Sequence, residues 1–207
     1  MSLLSQEITT DQNSNKVKES KYYYDTLAFG NVDKGNQTKE EDWKSGSTYI
    51  NNQKSYNSYG LVATTTDPRG KQTSYAYDTY YLYPQTVTDP LSQQTQYQYD
   101  YSSGKVKQVT DPNNLVFQTA YDGLDRITQI KQPDLTAPST LVTKTSYVYT
   151  DTANNVSTQK TDYLDSSNSI DVYTYYDGLG RLVYLRICIK MPTTILLKLT
   201  NITIPQR

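Results

Sequence analysis

The sequence predicts an all-β fold of antiparallel β-hairpin repeats laid side by side in an open sheet strip. Three observations carry that expectation. Two short signatures recur in phase: Thr66-Asp67-Pro68 returns as Thr88-Asp89-Pro90 and Thr110-Asp111-Pro112, and Tyr77-Asp78 returns as Tyr99-Asp100 and Tyr121-Asp122, each 22 residues after the last. A fixed period of this size marks one supersecondary unit stacked on copies of itself. The runs between signatures alternate with period two, as a strand requires. Gly, Pro, Asn and Asp fall between the runs, where turns need them.

In chain order, residues 1–54 form a degenerate N-terminal part. Residues 1–20 are polar and read as a loose end or a poor strand. Tyr22-Tyr23-Tyr24-Asp25 and Phe29-Gly30-Asn31-Val32 read as a strand, a Gly turn and a second strand. The segment 31–47 reads as a long connection. Within it Lys39-Glu40-Glu41-Asp42-Trp43-Lys44 has helical composition but no apolar face, which favours a strand edge or a loop anchored by Trp43.

Residues 55–182 carry the repeats. Tyr56-Asn57 is a weakened copy of the Tyr-Asp signature. The unit 91–112 shows the pattern: Thr95, Tyr97 and Tyr99 share one face and Gln the other, Ser102-Ser103-Gly104 turns the chain, and Lys105–Thr110 returns it. Asp111-Pro112 then fits the first two positions of a type I turn. Tyr75 and Tyr77 align with Tyr97 and Tyr99, then with Thr119 and Tyr121. After residue 134 the period stretches to 27–28 residues, and the additions read as longer loops on one edge of the sheet.

Composition limits the chemistry. The chain of 207 residues holds 22 Tyr against 2 Phe and 1 Trp, which suits a thin sheet wet on part of both faces. Net charge is −1, so nothing steers the chain toward nucleic acid. Histidine is absent and Cys188 is the only cysteine, which excludes His-based catalytic triads, His-ligated metals and internal disulfides. No run of 18 apolar residues exists to span a membrane as a helix, and Met1–Glu7 lacks the features of a signal peptide. No catalytic, cofactor-binding or metal site is assigned.

Tyr121-Asp122-Gly123-Leu124-Asp125-Arg126-Ile127 and Tyr176-Asp177-Gly178-Leu179-Gly180-Arg181-Leu182 resemble the YD/RHS repeat, whose core is Tyr-Asp-x-x-Gly-Arg-Leu. The first copy carries Asp125 where Gly is usual. Tyr77-Asp78 and Tyr99-Asp100 keep only the front of the motif, and Asp67-Pro68, Asp89-Pro90 and Asp111-Pro112 match the family's inter-hairpin turns. The resemblance covers about residues 55–182. It implies a curved strip that belongs to a hollow shell, of the kind found in bacterial RHS polymorphic toxins, the Tc insecticidal toxin BC component and the related shell of animal teneurins. A chain this short supplies a few hairpins only, so the resemblance implies a fragment. Its partners would be the rest of the shell or an enclosed effector, and its parent is expected to be secreted or at the cell surface.

Weighed residue by residue, the repeated aspartates read as turn residues, because a catalytic carboxylate is usually unique. The tyrosine rows at 75/77, 97/99 and 121 read first as cross-strand packing, worth about 0.2–1 kcal/mol per pair. The competing reading is an aromatic surface for carbohydrate or protein. Arg126 and Arg181 are expected to pair with a neighbouring Asp.

Residues 183–207 form an atypical tail. No acidic residue follows Asp177, and Ile and Leu become dense. A last strand pair, the start of another domain and a frameshifted or truncated end compete, and the abruptness of the change favours the last. DNA sequence across and beyond codons 182–207 tests this. A second frame continuing with acidic residues and Tyr-Asp hairpins identifies a frameshift; an intact frame with a natural end overturns it.

Overall fold

The computed structural model describes residues 3–152, 155–191 and 202–203. The chain divides into two compact units, Met1–Gln96 and Tyr97–Arg207. The first holds β1 (Gln6–Thr10), β2 (Lys16–Tyr24), β3 (Gln37–Ser45), β4 (Thr48–Tyr56), β5 (Val62–Thr66), β6 (Gln72–Tyr77) and β7 (Pro84–Thr88). β8 (Gln94–Asp100) runs across the division. The second holds β9 (Lys105–Thr110), β10 (Val116–Tyr121), β11 (Ile127–Pro133), β12 (Leu141–Thr152), β13 (Asn155–Tyr163), β14 (Ser169–Tyr176), β15 (Leu182–Lys190) and β16 (Ile202–Thr203). Hydrogen-bonded order follows sequence order in one open sheet, as the repeat pattern predicts. Consecutive turns therefore fall on opposite edges. Among the described residues there is no helix, hence none long and apolar enough to cross a membrane.

The alternation in sequence becomes two chemically distinct faces. In the first unit Tyr75, Val87 and Thr95 stand opposite one another across β6, β7 and β8, while Ala76, Thr86 and Gln96 do so on the reverse face. In the second unit Phe117 faces Val109, and Gln118 faces Gln108, with a 2.9 Å bond between the two amide groups. Pro84 opens its strand and Pro133 closes its strand, the places where a missing N–H does least harm.

Among the described residues no thick apolar core forms. The most enclosed residues are mainly polar, Glu19, Ser20, Asp78, Thr161, Ser169 and Asp171, with Cys188 and Pro133 the apolar ones. Each enclosed carboxylate that anchors a network is bound on several sides, as burial of charge demands. Glu19, 4% exposed, accepts from Gln6 (2.6 Å), Lys16 (2.6 Å) and the Tyr49 hydroxyl (2.7 Å). The Lys16 ammonium, then the Tyr49 hydroxyl, holds the Glu19 carboxyl down at about 2. Lys16 also lies 4.6 Å from the Trp43 ring centre. Asp171, 0% exposed, stands opposite Thr161 and Cys188, accepts from the Thr161 hydroxyl at 2.8 Å and pairs with Lys190 at 2.6 Å.

Several N-terminal expectations are corrected. Of the two readings of residues 1–20 the strand is found: residues 6–10 pair with β2, whose end at Tyr22–Tyr24 is the strand expected there. Phe29–Val32 is not a strand: residues 25–36 form a loop, gathered where the Asp25 carboxylate accepts the backbone N–H groups of Asp33, Lys34, Gly35 and Asn36 at 2.8–2.9 Å. Phe29 folds back to within 5.4 Å of the Tyr23 ring. Lys39–Lys44 lies inside β3, because β2 satisfies its charges: Ser20 donates to Asp42 and Tyr23 to Glu41. Trp43 donates to the Gly46 carbonyl.

The stretched period also has two sources. Longer turns at residues 134–140 and 164–168 share one edge, and strands lengthen too, β12 to 12 residues and β13 to 9. Compositional change at residue 183 does not interrupt β15, which pairs with β14 through Lys190. Residues 192–201 and 204–207 of the atypical tail lie outside the described residues.

Asp171→Ala leaves the Thr161 hydroxyl and Lys190 without their acceptor. The expected loss is about 1–3 kcal/mol in a urea melt. An unchanged midpoint would show that the pair is dispensable.

Candidate functional site

The residues singled out in sequence gather at the two edges, in turns built to one plan. At Asp67 the backbone N–H donates to the Lys71 carbonyl and Gly70 N–H donates back to the Asp67 carbonyl, both at 2.9 Å. That is a type I turn followed by a left-handed residue, Gly70 at φ +76°. The Asp67 side chain completes it: Oδ1 accepts the N–H groups of Arg69 and Lys71 at 2.8 and 2.9 Å. Asp89, Asp111, Asp122 and Asp177 repeat every one of these contacts. The Asp-Pro and Tyr-Asp turns are thus the same device on opposite edges. Pro68 and Gly123 occupy equivalent second positions, as do Pro90, Pro112 and Gly178.

Variation falls where the plan tolerates it. The left-handed position holds Gly180 at φ +76° in one Tyr-Asp copy and Asp125 at φ +63° in the other, so the departure at Asp125 is accommodated by a residue that tolerates this region. The Asp78 turn is one residue longer, with Asp78 N–H bonded to Tyr83 and Oδ1 accepting from Tyr80 and Leu82. The Asp100 turn closes through Gly104 N–H and the Ser102 N–H and hydroxyl. Asp11 and Asn57 head turns of the same plan.

The tyrosine before the turn has its own task. The Tyr77 hydroxyl donates to the Val62 carbonyl (3.0 Å), Tyr121 to Val106 (3.0 Å) and Tyr149 to Ile127 (2.9 Å). Tyr24 and Tyr56 do likewise to Leu4 and Gln37. For Tyr56, Tyr77 and Tyr121 the hydroxyl at a strand's end reaches the start of the preceding strand on the same edge, beside the previous turn, so one turn is stitched to the next; Tyr149, three residues before the end of β12, does the same to the start of β11, and Tyr24 reaches the residues before β1.

Basic residues add a second stitch. Arg126 Nε binds Asp122 Oδ2 at 2.8 Å, its Nη1 binds Asp151, and its guanidinium lies 4.1 Å from the Tyr149 ring centre. Lys105 does the same one turn earlier, lying 5.1 Å from the Tyr121 ring centre and binding the Asp125 carbonyl. Lys105 stands where the motif's Gly-Arg is lost, so a cation over the next tyrosine survives the change. Arg181 Nε binds Asp177 Oδ2 at 2.7 Å, and Arg69 clasps Asp67 on the other edge.

In each of these turns one carboxylate oxygen is committed to the turn's own backbone. The Asp67, Asp122 and Asp177 carboxyls are held below the ordinary value, first by the N–H of Lys71, Arg126 and Arg181 respectively, and also by the Arg side chains. Such groups are poor candidates for proton transfer or nucleophilic attack, which need an uncommitted oxygen. Among the described residues no group of three or more Cys, Asp or Glu is placed to hold a metal ion.

Within a strand, Tyr97 and Tyr99 approach to 6.4 Å. Tyr176 closes β14 opposite Leu182, before the Asp177 turn. The most exposed tyrosines are in the turns: Tyr59, 62% exposed, stacks at 3.8 Å on Tyr81, 42% exposed, and Tyr80 precedes Tyr81 in the same turn. Sequence patterning passed over these, although Tyr80-Tyr81 inside a turn is itself unusual.

Tyr121→Phe and Tyr149→Phe keep the ring and remove the stitch. Each should lower stability by about 0.5–1.5 kcal/mol with the sheet intact by circular dichroism. Melts identical to the parent would deny the hydroxyl any structural role.

No protein-family model matches the chain, and no curated protein matches it in sequence. Among solved structures it is similar to a chain of the TcdB2-TccC3 crystal structure, at 12% identity and a TM-score of 0.65, over 86% of this chain and 13% of that one. A chain of the Photorhabdus luminescens Tc holotoxin pore also matches, at 12% identity and a TM-score of 0.49, over 96% of this chain and 13% of its own. The protein thus spans about an eighth of the length of the chains it matches. It has the fold of a segment of the TcdB2-TccC3 chain, the all-β repeat architecture that the YD/RHS resemblance implies.

Proposed function

We propose that the chain is a structural segment of an RHS/YD-type shell, with no catalysis of its own, and that its full-length parent encloses a toxin or effector. The observation that carries this reading is the stitching of turn to turn along an edge. Its hydroxyl, cation and carboxylate groups are spent on joining one hairpin to the next. The likeness to 13% of a TcdB2-TccC3 chain agrees, since a segment of a wall is what such a fraction would supply. The partners are then further hairpins of the same strip and the enclosed polypeptide.

A second reading, a binding module at a cell surface, draws on a different observation. Tyr81 sits at φ +56°, where a bulky residue is strained, and is held there in an exposed stack with Tyr59. Strain of that kind is often retained for a purpose. The stack is confined to two neighbouring turns, whereas the stitches recur along the chain, so the wall reading is preferred.

Limited proteolysis of the full-length parent separates the two. A wall segment protects the enclosed region, so excision of residues 55–182 should turn a resistant region into a rapidly cut one. Equal digestion with and without the segment would overturn the proposal. Retained protection with loss of cell binding on Tyr59→Ala/Tyr81→Ala would favour the second reading.

A further inference from the structure

The turns carry a consequence for how the strip responds to acid, independent of what it encloses. At Asp67, Asp122 and Asp177 both carboxylate oxygens are engaged. Oδ1 accepts two backbone N–H groups of the turn, and Oδ2 takes the side chain of Arg69, Arg126 or Arg181. Bonds to an ionised acceptor are roughly twice as strong as neutral ones. Protonation weakens the first pair of bonds and removes the charge that holds the Arg.

These turns lie on both edges. Asp67 heads an Asp-Pro turn, while Asp122 and Asp177 head Tyr-Asp turns on the other edge. At Asp122 the effect spreads, because Arg126 also binds Asp151 and covers Tyr149, both on β12. Loss of the Asp122 charge frees Arg126 from its own turn and leaves the stitch to the next one held from a single side. With no thick core among the described residues, the strands depend on these turns more than strands of an ordinary sandwich do.

We propose that the Arg-clasped, aspartate-headed turns are carboxylate latches, closed while ionised, so that acidification loosens both edges of the strip together. The direction of the carboxyl shifts agrees. All three are lowered in the folded chain, so their contribution is complete above the ordinary Asp value of about 3.9 and is lost as pH falls below it.

Asn57 supplies the control. It heads a turn of the same plan with Oδ1 accepting from Tyr59 and Leu61 at 3.0 Å, yet cannot titrate. The combined variant Asp67→Asn/Asp122→Asn/Asp177→Asn should therefore fold. In the full chain, the melting temperature of the parent should stay level from pH 8 to pH 5 and fall steeply below about pH 4. The variant should lose much of that fall. Independently, in the unaltered chain the amide resonances of Arg69, Lys71, Leu124, Arg126, Leu179 and Arg181 should shift with one ionisation below pH 4 and lose exchange protection there. An equal acid fall in parent and variant, or turn amides that keep their shifts and protection while the rest of the chain loosens in acid, would overturn the latch. Should the variant not fold, the amide titration decides alone.

Discussion

The bond between a turn-heading aspartate and its own backbone is the contact on which the rest of this sheet depends. A strand with one dry face has its register set by burial, since a one-residue slip would expose the apolar side. Here neither face is dry, and the side chains most shielded from water are Glu19, Ser20 and Asp171. Register must then come from the turns. A side chain that fixes two amides of a three-residue loop leaves the entering and leaving strands one way to meet. Asp67, Asp89, Asp111, Asp122 and Asp177 each do this, and Asn57 does it without charge.

The tyrosine count follows from the same constraint. Phenylalanine could cover the sheet as well as tyrosine, but it could not reach the Val62, Val106 or Ile127 carbonyl. The hydroxyl converts a packing residue into a stitch between successive turns of an edge, and Arg126 or Lys105 lays a cation over the ring of the next stitch. Each hairpin is thus completed by its neighbour. That arrangement makes stability a sum of local and nearest-neighbour terms, as in other repeat proteins.

The 22-residue rhythm, the period-two runs and the Asp-Pro and Tyr-Asp turns were legible in the sequence because each rests on local chemistry. β3 was only half legible, since Lys39–Lys44 reads equally as a strand edge or a loop until Ser20 and Tyr23 of the neighbouring strand are seen to satisfy it. Nor was the role of the signature tyrosines, because their acceptors are backbone carbonyls, which any residue supplies. The carboxylates of Glu19 and Asp171 carry no sequence signal of enclosure either. They are covered by long neighbours such as Lys16, Tyr49 and Lys190, which gather only once the strands are paired. Tyr59 and Tyr81 are 22 residues apart, so their stack follows from the repeat period once the turn at Asp78 is known to gain a residue.

A sheet held in this way is well suited to extension. Catalysis needs a few groups left unsatisfied and aimed at one point, behind a rigid support. At Asp67, Asp122 and Asp177 both carboxylate oxygens are committed within the turn, and the freedom among the described residues is at the edges, where turns can be lengthened without disturbing the strands. Residues 134–140 and 164–168 use that freedom on one edge, and the strained Tyr81 turn uses it on the other. Whatever specificity such a strip acquires should therefore appear at its turns, while the strands between them continue the same sheet.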